Sequence, residues 1–318
     1  MNIPFLVQLG ILYAPNLTSF SVVGGKMNAL HLPLRWHQLT NLSFDGTFNV
    51  RTAQAPETIL IVLSRCPQLR TVHFLIHDSV QSQLSDTVVQ CSFLHTVKLY
   101  CLDNPLHTAD RLLSRLWLPD LRNFKLGGFY CRHAHTIESA EFLLSSLANY
   151  TRLESISIDS VLFSKVELAH FLLGLPSPVL RLEIAEPLPV PGRPTFPGHD
   201  TLDDGVMEVL DASFEGPTPC PALEELVITT CRAVSDKALL RFVKARLPTL
   251  RYVHVAFERE RQFEILPELE QLIEVGDLKI SLTYVTFPAP SFSPWEGLAD
   301  GPPPSLWTDS IDSRSYLA

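Results

Sequence analysis

Cysteine is too scarce in this sequence to staple a fold: six residues in 318 argue against a disulfide framework. Basic charge is short as well. Lys and Arg number 25 against 34 Asp and Glu, a formal net charge of −9. That balance argues against general binding to nucleic acid or to an anionic membrane, while leaving room for a local basic patch. No apolar run approaches about 18 residues, so no transmembrane helix is expected. The opening stretch MNIPFLVQLGILYAP has neither the basic region nor the small-residue cleavage site of a signal peptide. The N-x-S/T triplets at Asn16, Asn41 and Asn149 then read as chance, and a cytoplasmic or nuclear protein is expected.

Signatures of chemistry are missing too. There is no G-x-S-x-G nucleophile elbow. Gly24-Gly25-Lys26 lacks the upstream glycine and the following Ser or Thr of a phosphate loop, and reads as a turn. Cys131, His133 and His135 form C-x-H-x-H in an expected loop, with Cys101 about one repeat away. That spacing fits no familiar zinc pattern, and exposed loop polarity is the simpler reading. No enzymatic activity, cofactor or metal is expected.

What the chain has is apolar content, 46% against only 19% charged residues, ample for a continuous core. Its order is legible in residues 220–236, CPALEELVITTCRAVSD, where Leu223, Leu226, Ile228 and Cys231 fill the frame L-x-x-L-x-L-x-x-C. The physical meaning is a short strand burying three aliphatic side chains, a tight turn, and a return along an outer helix. The frame recurs with first residues Leu17, Leu39, Leu69, Leu94, Leu121, Leu153, Val179, Leu223 and Leu250. Most steps run between 22 and 32 residues, the exception being 44 from Val179 to Leu223. A tenth strand is expected through Val275, Leu278 and Ile280, or through Leu278, Ile280 and Leu282.

Proline supports the same register. It stands two residues before the first frame residue at Pro15, Pro67, Pro119, Pro221 and Pro248, where it stops a helix and turns the chain into a strand. Amphipathic helical stretches are expected at 57–65, 79–90, 106–117, 137–149, 165–175, 202–213, 236–246 and 266–274. Cys66, Cys91 and Cys220 all lie three residues before a frame start, an expected buried helix end where cysteine acts as a small hydrophobe. Cys231 is expected to satisfy backbone groups in its turn. The fold class that follows is α/β: a leucine-rich-repeat solenoid, a right-handed α/β horseshoe of about ten repeats with a parallel sheet on the concave face. It should span residues 1–286, with a proline-rich loop inserted at 185–200 and a disordered tail at 287–318. Phe5, Leu6, Leu9, Ile11 and Leu12 read as an outer helix lacking its strand, so upstream sequence or a partner is expected to cover that end.

In this frame the residues alternating with the buried ones project from the sheet. The central outward row reads Ser21, Ser43, His73, Lys98, Lys125, Ser157, Glu183, Val227 and His254. His73, Lys98 and Lys125 would stack into a short basic ladder, with Tyr100 beside it and Tyr252 on a later repeat. Two readings stand: a seat for an acidic or phosphorylated peptide, or an ordinary solvated sheet face.

The repeated joints RCPQLRTVHF (65–74), LPDLRNFKL (118–126), CPALEELVI (220–228) and LPTLRYVHV (247–255), with CRAVSDKAL at 231–239, resemble the leucine-rich-repeat region of fungal F-box/leucine-rich-repeat proteins. The resemblance covers roughly residues 10–285. It implies that the repeats capture a protein partner, as the substrate-recognition part of a ubiquitin-ligase receptor. In that family an N-terminal F-box binds a Skp1-type adaptor of a cullin complex, and no F-box-like segment precedes the first repeat here. The alternative is a stand-alone repeat scaffold that binds partners without ligase recruitment.

Overall fold

A computed structural model describes residues 11–23, 29–45, 53–77, 87–102, 105–128, 137–186, 201–211, 219–275 and 278–285. The frame strands are β1 (Ser19–Val23), β2 (Asn41–Asp45), β3 (Thr71–Ile76), β5 (Thr96–Cys101), β7 (Asn123–Gly128), β8 (Ser155–Asp159), β9 (Arg181–Ala185), β10 (Glu225–Cys231), β11 (Tyr252–Phe257) and β12 (Lys279–Tyr284). They form one ten-stranded parallel sheet in chain order. Two further strands, β4 (Val89–Gln90) and β6 (Leu116–Trp117), pair with each other apart from it. The helices are α1 (Pro56–Ser64), α2 (Pro105–Leu113), α3 (Ile137–Ala148), α4 (Lys165–Leu173), α5 (Asp204–Val209), α6 (Asp236–Arg246) and α7 (Leu266–Val275).

Two columns of aliphatic and aromatic side chains run across the sheet beneath its helices. Leu42 pairs in register with Val72, Val97, Phe124 and Ile156, and onward to Leu182, Leu226 and Val253. Two residues later the second column runs from Phe44 through Phe74, Leu99, Leu126 and Ile158 to Val255. All of these are buried and belong to one core with the inner faces of the helices. At the end of the array Ile280 and Leu282 pair with Val253 and Val255, which selects the second of the two expected registers for the tenth strand.

A repeated hydrogen-bond unit sets each strand's entry. The carbonyl three residues before the frame start accepts the N–H of the frame residue itself: Cys66 to Leu69, Cys91 to Leu94 and Leu118 to Leu121 at 3.2 Å, Tyr150 to Leu153 at 3.1 Å, Cys220 to Leu223 at 3.0 Å. These are tight turns, and Pro67, Pro119 and Pro221 occupy the position whose fixed φ such a turn favours. The three cysteines are buried as expected, and each opens a turn; Cys66 also closes α1, its N–H bonding Leu63 O at 3.0 Å, whereas Cys91 follows β4 rather than a helix. Burial pushes the Cys66 and Cys220 thiols up to about 12 and that of Cys91 to about 11, so they are inert apolar filler. Cys231 accepts a hydrogen bond from the backbone of Val234, the turn role expected of it.

Several expected boundaries shift. The helix expected at 106–117 ends at Leu113, and Leu116 and Trp117 instead pair in parallel with Val89 and Gln90. The stretch 79–90 accordingly closes in strand, its residues 79–86 lying outside the described ones. These returns satisfy their backbone groups between repeats rather than within a helix. The helix expected at 202–213 is the short α5, begun by Asp203, whose carboxylate accepts the Val206 N–H at 3.1 Å. Ala185 still belongs to β9 and Glu186 is buried, so the inserted loop cannot begin before 187. β9 pairs directly with β10, so the long step leaves the register unbroken. The compact unit ends at Tyr284. The expected tail, the Cys131–His135 segment, the Gly24–Lys26 turn and residues 187–200 fall outside the described residues.

The last repeats are tied together by one carboxylate. Asp236, at the start of α6 with its side chain fully buried, takes 2.8 Å hydrogen bonds from Arg259 Nη2 and from the N–H groups of Gln262 and Phe263. Arg259 Nη1 adds another at 3.4 Å and the Tyr284 hydroxyl one more at 3.1 Å. Burial raises its pKa, but Arg259 and the two N–H donors outweigh it and hold the carboxyl below its ordinary range. Asp236→Ala leaves Arg259 uncompensated and should cost about 3–5 kcal/mol. The loss should be concentrated in β11 and β12 by hydrogen exchange, since repeats unfold through their neighbours. The wild-type contribution is present above the unfolded pKa and disappears as pH falls through the lower folded value. A variant whose protection falls evenly along the whole array would contradict this role.

Candidate functional site

The helices cover one face of the sheet, and the other carries three rows of side chains in strict register. The central row runs Ser21, Ser43, His73, Lys98, Lys125, Ser157, Glu183, Val227, His254, each paired with the next, as the frame predicts. His73, Lys98 and Lys125 therefore do stand side by side on β3, β5 and β7. Tyr100 lies two residues further along β5 on the same face. Tyr252 shares the face but pairs with Glu225 and Lys279, five strands from Tyr100, so it does not join this group.

The ladder's charge is not what the row alone implies. Lys125 Nζ reaches across Ser157 to Glu183 Oε1 at 3.2 Å, and it also hydrogen-bonds the Tyr100 hydroxyl. Burial works against the Lys125 ammonium, but Tyr100, Glu183 and Asp159 outweigh it and hold it above its ordinary range. Glu183 is held below its own, the pull of Lys125 overcoming burial. His73 lies with its ring 5.1 Å from that of Tyr100 and its Nδ1 3.4 Å from Ser43 Oγ. Burial depresses its pKa against the pull of Asp45, and Lys98 and Lys125 depress it further, so it is neutral at pH 7. Lys98 is exposed and, among the described residues, has no ion-pair partner.

Two residues absent from the expected site complete it. Asp159, two positions past Ser157 on β8, accepts the Gly128 N–H at 3.0 Å. Burial raises its carboxyl to about 6 although the Gly128 N–H and Lys125 both favour its charge. Gly127 lies between Tyr100 and Asp159 in the row. A Cβ there would stand 2.5 Å from Tyr100 Cε1 and 2.8 Å from Asp159 Oδ2; glycine lets the ring lie over the strand. Extending the alternation two residues beyond the central row would have found both. Their proximity to a charge on β7 or β9 depended on side-chain reach.

The tertiary arrangement is that of an α/β leucine-rich-repeat solenoid presenting a polar sheet face. No family model matches the sequence, and no curated protein matches it. Among solved structures the chain is similar to the leucine-rich repeat-containing protein LegL7 from Legionella pneumophila, with 13% identity and a TM-score of 0.47 over 79% of this chain and 78% of that one. Among the described residues no helix is long and apolar enough to cross a membrane, and no group of three or more His, Cys, Asp and Glu side chains could hold a metal ion.

Two substitutions probe the geometry. Gly127→Ala should cost about 1–3 kcal/mol by overpacking. Tyr100→Ala in the same chain should recover most of that loss, and additive losses in denaturant would refute the contact. Asp159→Asn keeps an acceptor for Gly128. The wild-type carboxyl penalises the fold as pH rises from its usual 3.8 through about 6. Asn should therefore add about 1 kcal/mol at pH 8 and little at pH 4, measured as urea midpoints at both.

Proposed function

We propose that this chain is a non-enzymatic protein-binding solenoid of the cytoplasm or nucleus that captures its partner on the open sheet face. The observation that carries this reading is the register-locked row from His73 to Glu183, with Lys98 exposed beside the half-buried Tyr100–Lys125 pair. The described helices lie on the opposite face, so a partner can approach the backbone-stiffened rows directly, and rigid positions lose little entropy on binding. Polar rows at fixed spacing suit an extended segment laid across several strands. The joints at 65–74, 118–126, 220–228 and 247–255 support a finer reading: the substrate-recognition part of an SCF-type ubiquitin-ligase receptor, reaching a Skp1/cullin complex through an F-box in the native product. The same face serves a stand-alone scaffold equally well.

Affinity purification of the full chain from its native cells, quantified by mass spectrometry, separates these. Skp1- and cullin-type proteins enriched with it would establish the ligase reading; their absence beside a captured partner would leave the scaffold. Lys98→Ala and Lys125→Ala should each weaken capture of that partner about tenfold, the size of a lost charge-assisted hydrogen bond. The exposed Lys237 on α6 serves as control. Capture unchanged by both face substitutions would remove the open sheet as the binding surface.

A further inference from the structure

The open face contains its own competitor for an anionic ligand. Lys98 and Lys125 pair across β5 and β7, about 4.8 Å apart as adjacent strands are. An extended acidic segment crossing there would set its carboxylates against both ammonium groups. Lys125, however, already faces two resident carboxylates. Glu183 holds it directly at 3.2 Å, and Glu183 in turn lies 3.7 Å from Arg181 on its own strand. Among the described residues Asp159 has no such cation of its own: its direct hydrogen bond is from the Gly128 N–H, and Lys125 is the cation that acts on it. It is wedged against Gly127 beside the Tyr100 ring.

We propose that the open face takes a carboxylate-bearing peptide at Lys98 and Lys125, and that protonation of Asp159 strengthens this binding by removing the resident negative charge next to Lys125. This rests on the open face being the partner surface and names the partner's chemistry and its control. The charged and titratable groups around Asp159 are Tyr100 on β5, Lys125 on β7 and Glu183 on β9. Lys98, His73 and Asp45 stand farther along the sheet. Burial holds the Asp159 carboxyl at about 6, so it is ionised at neutral pH and largely protonated near pH 5. Glu183, held low by Lys125, stays ionised throughout. His73, whose pKa burial lowers, charges in the same direction at lower pH and must be separated by substitution.

The test uses the full chain and an eight-residue poly-aspartate peptide, whose side chains remain ionised above about pH 5. Affinity is measured by fluorescence anisotropy from pH 5.2 to 7.5 at constant ionic strength. Wild type should bind about five- to tenfold more tightly at the acid end, the size of one screened unit charge several ångströms away, with a midpoint near the Asp159 value. Asp159→Asn should bind at pH 7.5 as wild type does at pH 5.2 and lose most of the pH dependence. His73→Gln should retain it, and Lys98→Ala should bind weakly at both ends. A side-chain carbon NMR titration of Asp159 reports its protonation independently of any ligand. If wild type and Asp159→Asn share one pH profile, the proton control is overturned while acidic-peptide binding stands. If poly-aspartate binds at neither pH, the proposed ligand class is overturned. The open face as a partner surface then still answers separately to the Lys98 and Lys125 co-purification result.

Discussion

Everything on this molecule's open face depends on a parallel register that cannot slip. At each step one carbonyl between turn and strand accepts two successive N–H groups from the next repeat. Thr40 takes Arg70 and Thr71, Arg70 takes His95 and Thr96, and His95 takes Arg122 and Asn123 at 2.8–3.1 Å. The buried columns beneath reinforce it, because a one-residue shift would turn Phe74 or Leu126 to water and His73 or Lys125 into the core. Side chains many residues apart in sequence thus become fixed neighbours, at positions no loop could hold as firmly.

That rigidity explains why the face can carry partially buried charge. Lys125, Glu183 and Asp159 are drawn from three strands, and each leaves some hydration behind. The cost is tolerated because Glu183 stands two strands from Lys125, within direct ion-pair reach, and because Gly127 leaves room for the Tyr100 ring. The outcome is a closely balanced polar cluster rather than the basic stripe that residue types alone imply. Beside it the ammonium of Lys98 is exposed.

The far end solves a different problem. A repeat array needs its last strand secured, and among the described residues β12 has a neighbour on one side only. Here Asp236 gathers Arg259, Tyr284 and two backbone N–H groups. The rings of Phe257 and Tyr284 stack at 4.8 Å, with Arg259 and Arg261 over them. The polar cluster around Lys125 and the Asp236 network therefore lie in separate parts of the solenoid, so a change at the open face need not weaken the end.

Sequence alone determined the repeat, the parallel order of the strands and the membership of the outward row, because a two-residue alternation anchored by Leu and Pro leaves a strand no other way to bury its aliphatics. It placed His73, Lys98, Tyr100 and Lys125 together correctly. The short β4 and β6 were illegible, since two-residue strands have no periodicity and exist only through each other. Charge state was equally hidden. That Lys125 is paired, that His73 is neutral and that Asp159 titrates near 6 follow from burial and from side chains reaching across strands, distances that come into being only when the sheet closes its register.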